Sequence, residues 1–506
     1  MSPVRALAGA FLDEGRFVMP KIRVAGASRP SPSPPLMADP LLLLCVALGV
    51  FGIVCFSHQL FNDGDTFWHL ATGDWILRHG AVPRTDPFSY TVSGRAWTAQ
   101  EWLTEILMAE TWRGFGWAGL SALFGAAVAA LAWILGSELK RKLPMLSCIA
   151  ALALALGCTD QSWLARPHLL ALPILAFWTV QLLRAREAGR APPLWLLPVI
   201  ILWANLHASF LIGIGLLGPF AVEAVLEGGD RRWRAARDWA LFILAALACA
   251  LITPQGVEGL IYPIRVSSMR TLQDINEWRS ADFGRLGPLE LTLLTALFVL
   301  VHRRVRIPLI RLLMLIGLVH LALHETRHQM VLAVVGVLLL AAPLGEALAG
   351  TGAAPFRPLV LAPRARAILL ALLLVIGGGL LGARLWIPTR ITDGPTHPVA
   401  ALARVPAALR AQPVLNEYGM GGYLIFNHVR PFIDGRADMY GDDFFDAYVQ
   451  AIKPDRPKLL AMLAKYRVRW TILDPQDGAV QMLDSMPGWK RLYADKSAVV
   501  QVKVGG

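Results

Sequence analysis

The chain has 506 residues, of which 55% are hydrophobic and only 17% charged, against about 25% charged in a soluble domain. Its mean hydropathy is +0.51, and its apolar runs of about 15 to 22 residues lack interior charges and are long enough to cross a bilayer, which excludes a string of ordinary soluble domains. A formal net charge of +12 would suggest nucleic acid in a soluble protein, but these cations stand in short tracts between apolar runs, where they signal membrane orientation; no nucleic-acid partner is expected.

Residues 1–37 carry Arg5, Arg16, Lys21, Arg23 and Arg29 and a Pro/Ser-rich stretch up to Pro35, and read as a disordered cytoplasmic tail. The apolar run near 40–60 is followed by acidic residues rather than a small-residue cleavage site, so a retained transmembrane helix is expected. Further spans are expected near 116–137, 144–159, 167–183, 193–206, 208–226, 238–253, 288–302, 308–323, 328–345 and 367–387, about eleven in all. Basic tracts follow every second one: Lys140 to Lys142; Arg184, Arg186 and Arg190; Arg231, Arg232, Arg234 and Arg237; Arg303, Arg304 and Arg306; Arg357, Arg364 and Arg366. The positive-inside rule puts these tracts and the N-terminal tail in the cytoplasm. The outer side then receives a first loop (61–115), a middle loop (254–287) and the C-terminal segment. The predicted fold is a polytopic α-helical membrane domain over 38–390 and a periplasmic α/β domain over 391–506. The five cysteines lie in apolar runs without CxxC or zinc-finger spacing, which predicts free thiols.

In the first outer loop, Phe67, Leu70, Ala71 and Trp75 recur at helical spacing after Asn62-Asp63-Gly64-Asp65 and predict an interfacial helix lying on the membrane. Residues 83–98, with a Ser93-Gly94 turn, predict a small hairpin, and Glu101-Trp102-Leu103 opens another helix. Downstream, short apolar runs at 413–415, 422–426, 431–434, 470–474 and 498–502 are expected as strands, with helices near 442–452 and 455–466.

Asp63 and Asp65 stand one residue apart outside the first span, where two carboxylates bracket a divalent cation or divide general-base and orienting roles; they equally suit a helix cap. Glu101 and Glu105 fall one turn apart on a single face, a pattern that a solvated helix face also produces. Arg166 and His168, Asn205 and His207, and His324, Arg327 and His328 sit at the outer ends of spans. Ionisable groups at such depth face a cavity or a partner, and as a set they would form an anion site for phosphate, although any one alone can snorkel to headgroups. Glu277-Trp278-Arg279 and Asp434-Gly435-Arg436-Ala437-Asp438 complete the candidates; the latter is equally a turn with an internal ion pair.

The phrases Gly64-Asp-Thr-Phe-Trp-His69, Pro83-Arg-Thr-Asp-Pro-Phe-Ser-Tyr90, Gln100-Glu-Trp-Leu103, Trp203-Ala-Asn-Leu-His207 and Phe432-Ile-Asp-Gly-Arg-Ala-Asp438, in this order, resemble the GT-C superfamily of integral-membrane glycosyltransferases, which includes protein O-mannosyltransferases and aminoarabinose transferases, and more narrowly a bacterial subgroup. The resemblance covers nearly the whole chain after residue 40. It implies a multi-pass enzyme of the bacterial inner membrane that moves a sugar from a polyprenyl-phosphate donor to a hydroxyl acceptor, whether glycan, lipid or protein, on the periplasmic face. By position, Asp63 or Asp65 becomes the catalytic base or a ligand of Mg or Mn, with Glu101 as a second catalytic acid residue. Arg166, His168, His207 and Arg327 are assigned to the donor phosphate, and His69, Asn205, Glu277, Asp434, Arg436 and Asp438 to substrate contact. The alternative, from another class, is a non-catalytic or transport protein that binds lipid-linked glycans on the same fold.

Overall fold

The computed structural model describes residues 40–349 and 361–504; the expected tail at 1–37 and the cation Arg357 lie outside the described residues. Uncharged Leu-, Val- and Ala-rich runs in lipid must satisfy their backbone groups internally, which leaves a helix as the stable form. Each apolar run expected as a span is largely helical. In chain order the helices are α1 (Pro40–Cys55), α2 (Asp65–His79), α3 (Trp102–Lys142), α4 (Met145–Gly157), α5 (Pro167–Glu187), α6 (Leu197–Leu206), α7 (Phe210–Leu226), α8 (Arg232–Ala250), α9 (Val257–Ser267), α10 (Pro288–His302), α11 (Leu309–His324), α12 (Thr326–Ala349) and α13 (Pro363–Trp386). Among the described residues α3, α5, α12 and α13 are long and apolar enough to cross a membrane, and shorter apolar helices accompany them. The chain is a multi-pass membrane protein.

At about 1.5 Å per residue, the 41 residues of α3 would run roughly twice the hydrocarbon thickness of about 30 Å. The surplus forms a segment on the side expected to be outer, set off by a break at Gly116 (φ 58°, ψ −152°), a backbone conformation open only to glycine. The helix expected from Trp102 and the span expected from 116 are two helical segments that meet at this break. Against its outer segment lies α2, so close at Gly73 that an added Cβ would stand 1.9 Å from the Glu105 carbonyl oxygen. The other side of α2 is also covered by protein: Phe67 packs on Trp117, Tyr423 and Phe426. Both sides of α2 are thus clamped by protein, between α3 and the C-terminal layer, and its buried residues include Thr66, His69 and Thr72. The expected hairpin after it is reduced to one bridge between Thr85 and Ala96, because Asp86 ties the turn internally by accepting from the backbone of Phe88 and Ser89.

The C-terminal layer holds a four-stranded sheet of β1 (Val414–Asn416), β2 (Trp470–Leu473), β3 (Trp489–Ala494) and β4 (Val499–Lys503) in the order β1-β2-β4-β3. β1 and β2 are parallel, and β4 runs antiparallel to both β2 and β3. Two expected strands are absent: Gly421–Phe426 is a helix packed on α2, and 431–434 is irregular. An extra strand, β3, lies at the sheet edge with Lys490, Arg491 and Leu492 exposed, and such polar edge strands lack the alternation that marks half-buried ones.

The helix ends sort by chemistry. The basic tracts stand at the C-terminal ends of α3 and α5 and the N-terminal ends of α8 and α11. Asp65, Glu101, Arg166, His207 and Arg327 stand at the other ends of the helices around them. At the basic end, Glu138 and Glu223 are buried and take up Arg184, Arg186 and Arg311, which ties α3 to α5 and α7 to α5 and α11.

Candidate active site

Asp65 is the first residue of α2, and its side chain does not cap the helix: Oδ1 accepts from Trp68 Nε1 (2.9 Å) and Oδ2 pairs with Arg166 Nη2 (2.5 Å). Arg166, immediately before α5, also places Nε 3.4 Å from Asp63 Oδ2 and Nη1 2.7 Å from Glu277 Oε2. One guanidinium fork thus serves three carboxylates, geometry that an ammonium cannot reproduce. The turn Asp434-Gly435-Arg436 closes over this cluster, with Gly435 so near that a Cβ would stand 1.9 Å from Asp65 Oδ1.

These groups open into a cavity of about 420 Å³. Its carboxylates are Asp65, Glu101 and Glu277, and its cationic and imidazole groups are Arg166, Arg327, His168, His207 and His69; Asp63 is held at its edge through Arg166. The Arg327 guanidinium lies 4.0 Å from the Trp278 ring and 3.8 Å from Glu277 Oε1, so it is oriented by an aromatic face and only loosely paired. His168 Nε2 is 2.7 Å from the Ser162 carbonyl. Glu101 faces His207 Nε2 at 3.2 Å and His69 Nε2 at 3.6 Å.

Burial sets the protonation of the cluster. It pushes Asp63 up to about 7 against the pull of Arg166, with Asp65 and Glu277 adding to the rise, and raises Asp65 as well. Glu101 is pushed by burial up to about 8, with Arg166 and Arg327 opposing. For Glu277 burial acts in the same sense, but Arg166 and Arg327 overcome it and hold the carboxyl down to about 2. Burial also drives His69 and His207 well below the ordinary imidazole range, which keeps both neutral. Neighbouring carboxyl groups held at such different values are the pattern of acid–base sites.

Four expected contacts lie elsewhere. Asn205 accepts from Trp102 Nε1 and donates to the carbonyls of Ile201 and Ile252, locking α6 to its neighbours. Asp434 and Arg436 are fully buried and satisfy each other at 2.7 Å, with Tyr440 and Asp86 completing the pair. Asp438 accepts from Tyr262 Oη (2.7 Å) on a neighbouring cavity of about 490 Å³. Conversely, Glu105 is no solvated residue: 1% exposed, it stands 3.1 Å from His69 Nδ1. Its one-turn offset from Glu101 was the available signal.

The acidic pair does not fit a divalent cation. Among the described residues no group of three or more His, Cys, Asp or Glu side chains is placed to hold one. Both oxygens of Asp65 are already engaged by donors, and a permanent cation, Arg166, lies against both Asp63 and Asp65.

No protein-family model matches the chain, and no curated protein sequence does. Among solved structures it is similar to the Archaeoglobus fulgidus oligosaccharyltransferase in the apo form, at 13% identity over 86% of this chain and 69% of that one, with a TM-score of 0.51. ArnT from Cupriavidus metallidurans bound to undecaprenyl phosphate is similar at 12% identity over 92% and 98%, with a TM-score of 0.48. The chain has the fold that the Archaeoglobus fulgidus oligosaccharyltransferase displays.

Proposed function

We propose that the protein is a glycosyltransferase of the bacterial inner membrane that moves a sugar from a polyprenyl-phosphate carrier to a hydroxyl acceptor at the periplasmic face. The observation that carries this reading is the convergence of Asp65, Glu101 and Glu277 with Arg166, Arg327, His168 and His207 on one cavity at the outer helix ends. The cavity wall also includes Cys158, Pro167 and Met330, at the ends of α4, α5 and α12. A lipid phosphate there can reach Arg327 while its chain remains among apolar helices.

Glu101 is the proton acceptor in this reading, because Asp65 and Glu277 pair closely with Arg166 and Asp63 does not line the cavity, whereas the ion-pair partners of Glu101 among the described residues are imidazoles. As the acceptor oxygen attacks the anomeric carbon, Glu101 takes its proton and the sugar–phosphate bond breaks with its electron pair passing to the phosphate. Arg327 faces that developing charge, and a fixed donor there stabilises the transition state without reorganising; the single N–H of neutral His168 is spent on the Ser162 carbonyl. Asp63 and Asp65 hold Arg166 in place. No step runs through a metal.

The test is transfer by purified protein in proteoliposomes, with undecaprenyl-phosphate hexoses as donors and released undecaprenyl phosphate as the readout, alongside mass spectrometry of envelope glycans with and without the gene. Glu101→Gln should slow transfer by about 10²- to 10⁴-fold, the usual cost of losing a general base. Undiminished transfer by this variant would remove the base, and absence of donor turnover by the unmodified protein with every hexose would remove the enzyme.

A further inference from the structure

Behind Glu101 lies a second buried acid. His69 (1% exposed) stands between two carboxylates, with Nδ1 3.1 Å from Glu105 Oε1 and Nε2 3.6 Å from Glu101 Oε2. Glu101 and Glu105 are one turn apart on α3 and so share a face. The contact of α2 with α3 at Gly73 drives the imidazole between them. The remaining oxygen of Glu105, Oε2, is buried without a hydrogen-bond partner. An unsatisfied buried carboxyl oxygen costs stability, and apolar side chains would pack α2 on α3 at lower cost.

The other side of Glu101 is fixed in its tautomer. His207 Nδ1 accepts from the Ser209 backbone N–H at 3.0 Å, so the neutral ring carries its proton on Nε2, which faces Glu101 Oε1 at 3.2 Å. That oxygen already has a proton-bearing neighbour. A new proton therefore belongs on Oε2, the oxygen that faces His69.

We propose that His69 and Glu105 form a proton relay behind Glu101. The acceptor hydroxyl gives its proton to Glu101 Oε2 as the new bond to the anomeric carbon forms and the phosphate departs with its electron pair. From a start with Glu105 ionised and His69 protonated on Nδ1, Glu101 passes a proton to His69 Nε2, and His69 releases its Nδ1 proton to Glu105. Glu101 returns to the carboxylate, His69 ends neutral as the other tautomer, Glu105 ends as the acid, and one proton is accounted for throughout. After the product leaves, the transfer reverses and Glu101 discharges the proton to water in the cavity. His69 and Glu105 are positioning residues, because Glu101 alone meets the acceptor. The groups that set the titration of Glu101 are Arg166 before α5, Arg327 on α12, Asp65 on α2 and Glu277 in the middle loop, together with the two imidazoles.

The relay rests on the reading of Glu101 as proton acceptor, so the test separates the two. In full-length protein in nanodiscs, infrared difference titration between pH 5 and 9 should show a carboxyl band that Glu101→Gln abolishes. Glu105→Gln and His69→Asn should move its midpoint by about one pH unit, and Glu105→Asp should restore it in part. With undecaprenyl-phosphate hexose as donor, Glu105→Gln should lower kcat about tenfold or more, leave the donor KM unchanged and displace the pH limb. If Glu101→Gln abolishes both band and transfer while Glu105→Gln and His69→Asn change neither midpoint, kcat nor pH profile, the relay is wrong and the base stands. If Glu101→Gln changes nothing, the base is wrong and the relay falls with it. Should Glu105→Gln fail to fold, Glu105→Asp and His69→Asn carry the same readouts, and an unmoved midpoint in both overturns the relay.

Discussion

Arg166 decides how the other charges of the cavity behave. Its three nitrogens meet Asp63, Asp65 and Glu277, so Arg166→Ala would leave the partly buried Asp63 and Asp65 without a cation and Glu277 with only its loose pair to Arg327. Removing one partner of a buried pair costs about 3–5 kcal/mol, and residual exposure of these groups puts the expected loss at about 3 kcal/mol. Thermal unfolding in detergent should show it, with Arg166→Lys falling between the two because an ammonium cannot spread over three acceptors. Glu101 gives a second expectation. With its carboxyl pushed up to about 8 by burial, the form able to accept a proton grows as pH rises toward that value. Transfer rate should climb about tenfold per unit from pH 6 and level off near pH 8, and a rate that falls with pH over this range would exclude Glu101 as the base. The cavity residues were legible because ionisable groups in apolar surroundings are conspicuous. The role of Glu105 was not, since its partner His69 lies 36 residues away on another helix and a one-turn carboxylate pair also describes a wet surface. Asn205, Asp434 and Arg436 misled for the converse reason: polar residue types identify a need for partners, not whether those partners are substrate or protein.

Among the elements, α3 carries both ends of the relay on its outer segment, and the break at Gly116 aims that segment. No atom lies within 4 Å of the place where a Gly116 Cβ would go, so Gly116→Ala should meet backbone strain alone, about 1–3 kcal/mol. Either that cost appears as a lowered unfolding temperature, or the kink straightens and Glu101 leaves the cavity with transfer lost. A variant equal to the unmodified protein in both respects would show that the kink has no role. Helix positions were readable from apolar runs because lipid leaves the backbone one solution. The outer segment was harder: α2 carries the pattern of a surface helix, and only the facing residues of the C-terminal layer, more than 300 positions later, turn that pattern into a buried clamp.

For the whole molecule, the acidic cavity and the basic tracts occupy opposite helix ends, and the proposed function, with the positive-inside rule, puts the cavity outside the cell. Alkaline phosphatase fused after Val504 should be active and the same reporter after Lys142 inactive; the reverse pattern would turn the molecule over and put the site on the wrong face for an exported acceptor.

The triple pairing of Arg166 also bears on the sequence of events in a turnover. A site whose fixed charges already answer one another offers an uncharged hydroxyl compound little to hold. An arriving phosphate brings an anion of its own, which can engage Arg327 and compete with the carboxylates for Arg166, loosening them from their resting partner. The donor would then act as the key that readies the pocket, and the acceptor would be admitted only to a pocket so readied. Steady-state measurements should accordingly show compulsory order, with undecaprenyl phosphate competing against the donor and not against the acceptor; equal competition against both substrates would mean that the resting salt cluster imposes no order of entry.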